Sequence, residues 1–82
     1  MSKAKQEVES TLKNVHDTIT MVKKLAKLLE KHEIDGIGDY VGEFKTLYGH
    51  YDYYEEVKDA IIEETEMIGM DSEYVVKAFD EV

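Results

Sequence analysis

The apolar positions of the first third of the chain fall at Val8, Leu12, Val15, Ile19, Val22, Ala26 and Leu29, in steps of four and three. That spacing keeps one stripe of a helix facing a single direction and reads as an a/d seam of about three heptads. Leu25 and Leu28 widen the stripe toward its end. Lys23, Lys24, Lys27 and Lys31 load the last turns, where cations suit the helix dipole. The pattern predicts one continuous helix over 4–31.

At about 1.5 Å per residue such a helix is about 42 Å long. A domain of 82 residues has an expected diameter of about 30 Å. The helix then bends, protrudes by about two turns, or has its seam covered by a second chain. The third outcome hides the apolar stripe, whose exposure costs about 25 cal/mol per Å². Val8, Leu12, Val15 and Ile19 are therefore the expected self-association seam, and a homodimer is the expected assembly.

Residues 32–39 carry Gly36 and Gly38 and read as a turn. Ile37, Tyr40, Val41, Phe44, Leu47 and Tyr48 then recur at three and four, predicting a helix over 37–48 that ends at Gly49. Gly42 inside it suits close helix packing. Asp52 and Glu55 have the spacing of a capping box and open a helix over 52–68 through Tyr54, Val57, Ile61 and Ile68, closed by Gly69. Asp71 or Ser72 caps a short helix over 72–81 bearing Val75, Ala78, Phe79 and Val82. No alternating stretch is long enough for a strand. The expected fold is all-α: one domain, a small bundle in which a long N-terminal helix packs against three shorter ones.

Composition narrows the chemistry. Nineteen acids face ten basic residues, all lysine, for a net charge of -9, and cysteine, proline and tryptophan are absent. Disulfides, thiolate zinc sites and thiol nucleophiles are thereby excluded, and a reducing, cytoplasmic setting is the expectation. No stretch of more than three apolar residues occurs, so neither a membrane span nor a signal-peptide core is expected. An acidic chain without arginine is poorly suited to bind nucleic acid directly, because phosphate neutralisation needs clustered cations. The charge is segregated: residues 1–31 carry +3 and residues 32–82 carry -12. Such asymmetry marks either internal neutralisation or an interaction surface.

The negative charge has a pattern. Asp52, Glu56, Asp59, Glu63 and Glu66 step by four and three along the third predicted helix, with Glu55 and Glu64 beside them. Lys58 is the sole lysine between residues 46 and 76. Neighbours at these spacings stand about 5–6 Å apart at Cβ, close to the roughly 6–7 Å between successive phosphates of a nucleic-acid strand. The row therefore resembles a phosphate ladder; the plainer alternative is a solvated face neutralised by Lys23, Lys27 and Lys31. Tyr48, Tyr51, Tyr53 and Tyr54 fall within seven residues, too many for one helix face. Tyr54 matches the apolar row, whereas Tyr51 and Tyr53 stand outside it, as residues of a protein-binding hot spot do.

Other motifs fail on their spacing. The loop from Glu33 to Asp39 has the look of a calcium loop. Placing Gly36 at the sixth position, however, puts Lys31 and Gly42 where acidic ligands belong, and Gly38 in that role puts Phe44 last. Gly69-Met70-Asp71-Ser72 resembles the attachment site of acyl carrier proteins, yet Glu73 stands where that family has leucine and ten residues follow Ser72. Helix capping accounts for these four residues. His16, His32 and His50 are scattered, with no third ligand for a metal near His50 and Asp52, and no base accompanies Ser2, Ser10 or Ser72. The expectation is a protein without catalytic activity, cofactor or metal.

These features point to an acidic module that binds a larger protein with a basic surface. Asp52, Glu55, Glu56, Asp59, Glu63 and Glu66 would meet cations that otherwise hold phosphate, and Tyr51 and Tyr53 would add contact area. Small virus-encoded inhibitors of defence nucleases or transcription machinery resemble this profile in style, though in no shared motif; for such a protein the cytoplasm is the host's. The alternative is a self-associating structural or adaptor protein acting through the seam of the first helix.

Overall fold

The computed structural model describes residues 3–14, 17–34 and 36–82. The described residues form five α-helices and no strand: α1 (Lys3–Asn14), α2 (Thr18–Lys31), α3 (Gly38–Tyr48), α4 (Tyr54–Met67) and α5 (Ser72–Asp80). The helix expected over 4–31 is thus two helices. Asp17 is the N-cap of α2, with extended backbone (φ -101, ψ 124). Its carboxylate accepts from the Thr20 amide at 3.0 Å and the Thr20 hydroxyl at 2.8 Å. These bonds, the backbone one foremost, hold the Asp17 carboxyl below its usual range.

Splitting the helix solves the length problem without a second chain. The molecule measures 28 × 26 × 20 Å with a radius of gyration of 11.3 Å, so a straight rod of about 42 Å would overhang it. Once divided, α1 packs on α3, and α2 packs on α4. The proposed seam is divided with it. Val8 is 1% exposed, inside the protein's own core, and Leu12 is half-buried against that core. Ile19 sits on the other helix and is 67% exposed; Val15 and His16 lie outside the described residues. Val8 is therefore not available to a second chain, and Leu12 only in part.

The core gathers Val8 of α1, Leu25 and Leu29 of α2, Val41 and Phe44 of α3, Ile61 of α4, and Val75 and Phe79 of α5. The void among Val8, Leu25, Leu29, Val41, Phe44, Ile61 and Phe79 amounts to about 10 Å³, too little to hold more than about one water molecule. His32 is the C-cap of α2. Its ring is buried and stacks on Tyr40 with centroids 4.2 Å apart, while Nε2 stands 3.2 Å from Glu7 Oε2. One side chain thereby ties α1, α2 and α3 together.

The later helix ends agree with the expected ones to within two residues. Gly49 follows α3, and Asp71 caps α5 by accepting from the Glu73 amide at 3.0 Å. Gly69 has φ +94 and ends α4 in a Schellman arrangement: its amide bonds Glu66 O, and the Met70 amide bonds Thr65 O. Met70 is buried beside this turn, which fixes the approach of α5. Two expectations are corrected. The N-cap of α4 is Tyr53, with no side-chain hydrogen bond, because the Tyr54 amide bonds Tyr51 O and places Asp52 inside a turn; the capping box does not form. Gly42 is not required by close packing, since a Cβ there would meet Val82 at an ordinary 3.7 Å.

Candidate functional site

α4 has two contrasting sides. Val57, Ile61 and Thr65 are buried, and Thr65 Oγ1 satisfies itself on Ile62 O at 2.6 Å. Glu55, Glu56, Asp59, Glu63 and Glu66 are exposed. This division follows from the register, since three- and four-residue steps return each set to its own side. Asp52 is exposed too, but in the preceding turn, so it stands ahead of the helical row and is not its first rung.

The charges lie unevenly with respect to the helix dipole. Glu55 and Glu56 occupy the first turn, where anions are favoured. The last turn holds no basic residue and contains Glu64 and Glu66, which the dipole disfavours by about 0.3–1 kcal/mol each at exposed positions. Helix stability alone would place lysines there. The lysines of α2 supply no neutralising contact: among the described residues, no ammonium group of α2 lies within 4.0 Å of an α4 carboxylate. Lys58 pairs with Glu55 at 2.8 Å, one turn back on the same helix. That hydrogen bond holds the Lys58 ammonium above its ordinary range.

Tertiary packing adds residues that the linear pattern does not show. Between α4 and α5 runs an open groove of about 370 Å³, with Ile62, Val76 and Phe79 along its floor. Lys58, Asp59, Glu63 and Glu66 border it from α4, and Asp80 joins them from α5, so the rim is acidic with one cation. Asp80 could be assigned only once the two helices are known to pack together. Val76 left a trace in the sequence, as an apolar residue off the Val75–Phe79 stripe, and it is 38% exposed.

The tyrosines form a cluster at the N-terminal end of α4. Tyr51 and Tyr53 are 44% and 48% exposed, and Tyr48 beneath them is buried. Ring centroids stand 4.8 Å apart for Tyr48 and Tyr51, 5.9 Å for Tyr48 and Tyr53, and 5.8 Å for Tyr51 and Tyr53. Burial, a hydrogen bond with Tyr53 and the neighbouring phenols push the Tyr48 hydroxyl up to about 12. Tyr54 stacks on Phe44 at 5.7 Å, on the core side. Sharing contacts, the exposed rings are held in place before any partner arrives, which lowers the entropy cost of using them.

Among the described residues, no group of three histidine, aspartate or glutamate side chains is arranged to hold a metal ion, and no helix is long and apolar enough to cross a membrane. Compared with known proteins, the chain matches no family model, no curated protein and no solved structure.

Proposed function

We propose that this protein is a non-enzymatic binding module whose α4 face occupies a basic site on a larger protein, in the cytoplasm. The observation that carries this reading is the row Glu56, Asp59, Glu63 and Glu66, exposed and without an ammonium partner from α2. Its rungs, about 5–6 Å apart, match the roughly 6–7 Å spacing of strand phosphates. A site built to bind nucleic acid is therefore the basic surface it suits best. Asp52 and Glu55 extend the field toward Tyr51 and Tyr53, which supply packed area at its end, and Asp80 widens it toward α5.

Occupying such a site blocks it, so the module acts as an inhibitor of the phage-encoded kind. Complementary fields would speed encounter and make the association fall steeply with salt. The test is capture of the partner from host lysate across a salt series, using the wild type and a variant with Glu56, Asp59 and Glu63 all replaced by lysine. The reading expects salt-sensitive capture that the triple reversal abolishes. Capture unchanged by the reversal contradicts it.

A further inference from the structure

α2 and α4 lie side by side and leave a second surface uncovered, which shares Glu63 with the α4–α5 groove. Thr18, Ile19, Val22 and Lys23 face Ala60, Glu63, Glu64 and Met67 across a shallow cleft. Ile19 is 67% exposed and Met67 is 74% exposed, the two most exposed large apolar side chains on any helix. With the partly buried Ala60 between them, they make one contiguous apolar strip along the cleft. Its rim is polarised: the ammonium of Lys23 stands on α2, the carboxylates of Glu63 and Glu64 stand on α4, and they form no ion pair within the molecule.

We infer that this face binds a second copy of the same chain. A two-fold axis running along the cleft turns α2 of one copy over α4 of the other, as an isologous interface requires. Ile19 and Met67 of both copies then close over the centre. Lys23 of each copy meets the carboxylates of the other, so unlike charges face one another twice. No other arrangement of a uniformly acidic partner or a uniformly basic one satisfies both sides of this rim. Self-association is thereby moved from Val8 and Leu12, which pack in or against the core, to the α2–α4 face.

The size of the face sets the strength. Each helix has 14 residues, about 21 Å at 1.5 Å per residue. Two helices about 10 Å across, with axes about 9 Å apart, span about 19 Å and offer a face of roughly 400 Å², half of the ~800 Å² that a standard interface takes from each partner. A face this small suits a weak, concentration-dependent dimer and not an obligate one.

The inference goes beyond the proposed function and is tested apart from it, because Lys23 and Glu64 lie outside the acidic row. Three substitutions are chosen to leave the fold intact. Asp at position 19 falls in the first turn of α2, and Lys at position 64 falls in the last turn of α4, both favoured by the dipole; position 23 is exposed. Sedimentation equilibrium of the full chain should show a monomer–dimer equilibrium, with the dissociation constant raised about tenfold or more by Ile19→Asp. Lys23→Glu and Glu64→Lys should each be monomeric alone and form a dimer when mixed, since only the mixed pair restores both charge contacts. A wild type monomeric up to about 1 mM, where even a weak interface would be populated, overturns the inference. So does a dimer indifferent to Ile19→Asp, or a mixture no more associated than its components.

Discussion

Lys58 Nζ lies 2.8 Å from Glu55 Oε2, three residues back along α4. The one lysine of α4 is thus tied to Glu55; it lines the α4–α5 groove beside Asp59, and Glu63 and Glu66 border that groove without an ion-pair partner among the described residues. The pair is partly exposed, and pairs of this kind contribute about 0.3–0.5 kcal/mol. Lys58→Gln should therefore shift the melting temperature only slightly while deepening the salt dependence of partner capture. A loss of stability above about 2 kcal/mol would mean that Lys58 does more than exposed pairs do.

The last turn of α4 allows function to be weighed against stability. Glu66→Lys replaces a charge the dipole disfavours by one it favours, which should stabilise the helix by about 0.3–1 kcal/mol. In a domain of this size each kcal/mol moves the melting temperature by about 4–8 °C. Thermal melts should show a small rise while capture of the partner weakens. A lower melting temperature would show that Glu66 already serves the fold.

Asp17 starts α2, and its carboxylate accepts from Thr20 most strongly when ionised. Asp17→Ala should lower the melting temperature, and Asp17→Asn should lower it less, because the amide oxygen still accepts from Thr20. The pH dependence has a definite sign. The carboxyl is held below its ordinary 3.8 in the fold, so its contribution is present above that value and is lost as pH falls through the lowered one. Acid melts of wild type and Asp17→Asn should converge there; a constant gap across pH would contradict the cap.

Tyr48 offers an optical probe of the aromatic cluster. Its phenol is held up to about 12 by burial and by Tyr53. The fold favours its neutral form, so stability falls as pH rises from about 10 through about 12. Ultraviolet difference titration should show Tyr48 ionising late, together with Tyr54, whose phenol burial also raises, and Tyr53→Phe should move the Tyr48 step toward 10. An unmoved Tyr48 step in that variant would show that Tyr53 is not its partner.

Helices α3, α4 and α5 were legible because local signals and packing agree. Apolar residues at three and four define their buried sides, and Gly49, Gly69 and Asp71 mark their ends. The division between α1 and α2 was hidden because the same steps of three and four continue from Val8 to Leu29 across it. The discriminating signal lay in propensity: Asn14 to Thr20 is a run of weak helix formers, with Asp17 three residues before Thr20 in capping position. Hydrophobic phase alone says which side is apolar, not whether the rod is unbroken.

The candidate site was legible to the same depth. Register alone sends Glu56, Asp59, Glu63 and Glu66 outward together, and chain proximity brings Tyr51 and Tyr53 beside their start. Asp80 and the floor formed by Ile62, Val76 and Phe79 depend on how α5 docks, which no local pattern encodes. The same holds for Ile19 and Met67, 48 residues apart in the chain and lining one cleft.

The central claim, that the α4 face takes the place of phosphate on its partner, is tested most directly by competition. With the complex immobilised through this protein, duplex DNA is titrated against it at constant ionic strength and release of the partner is measured. The account predicts progressive release, reversed when the DNA is digested. A complex that stays intact while its partner binds the added DNA would contradict it.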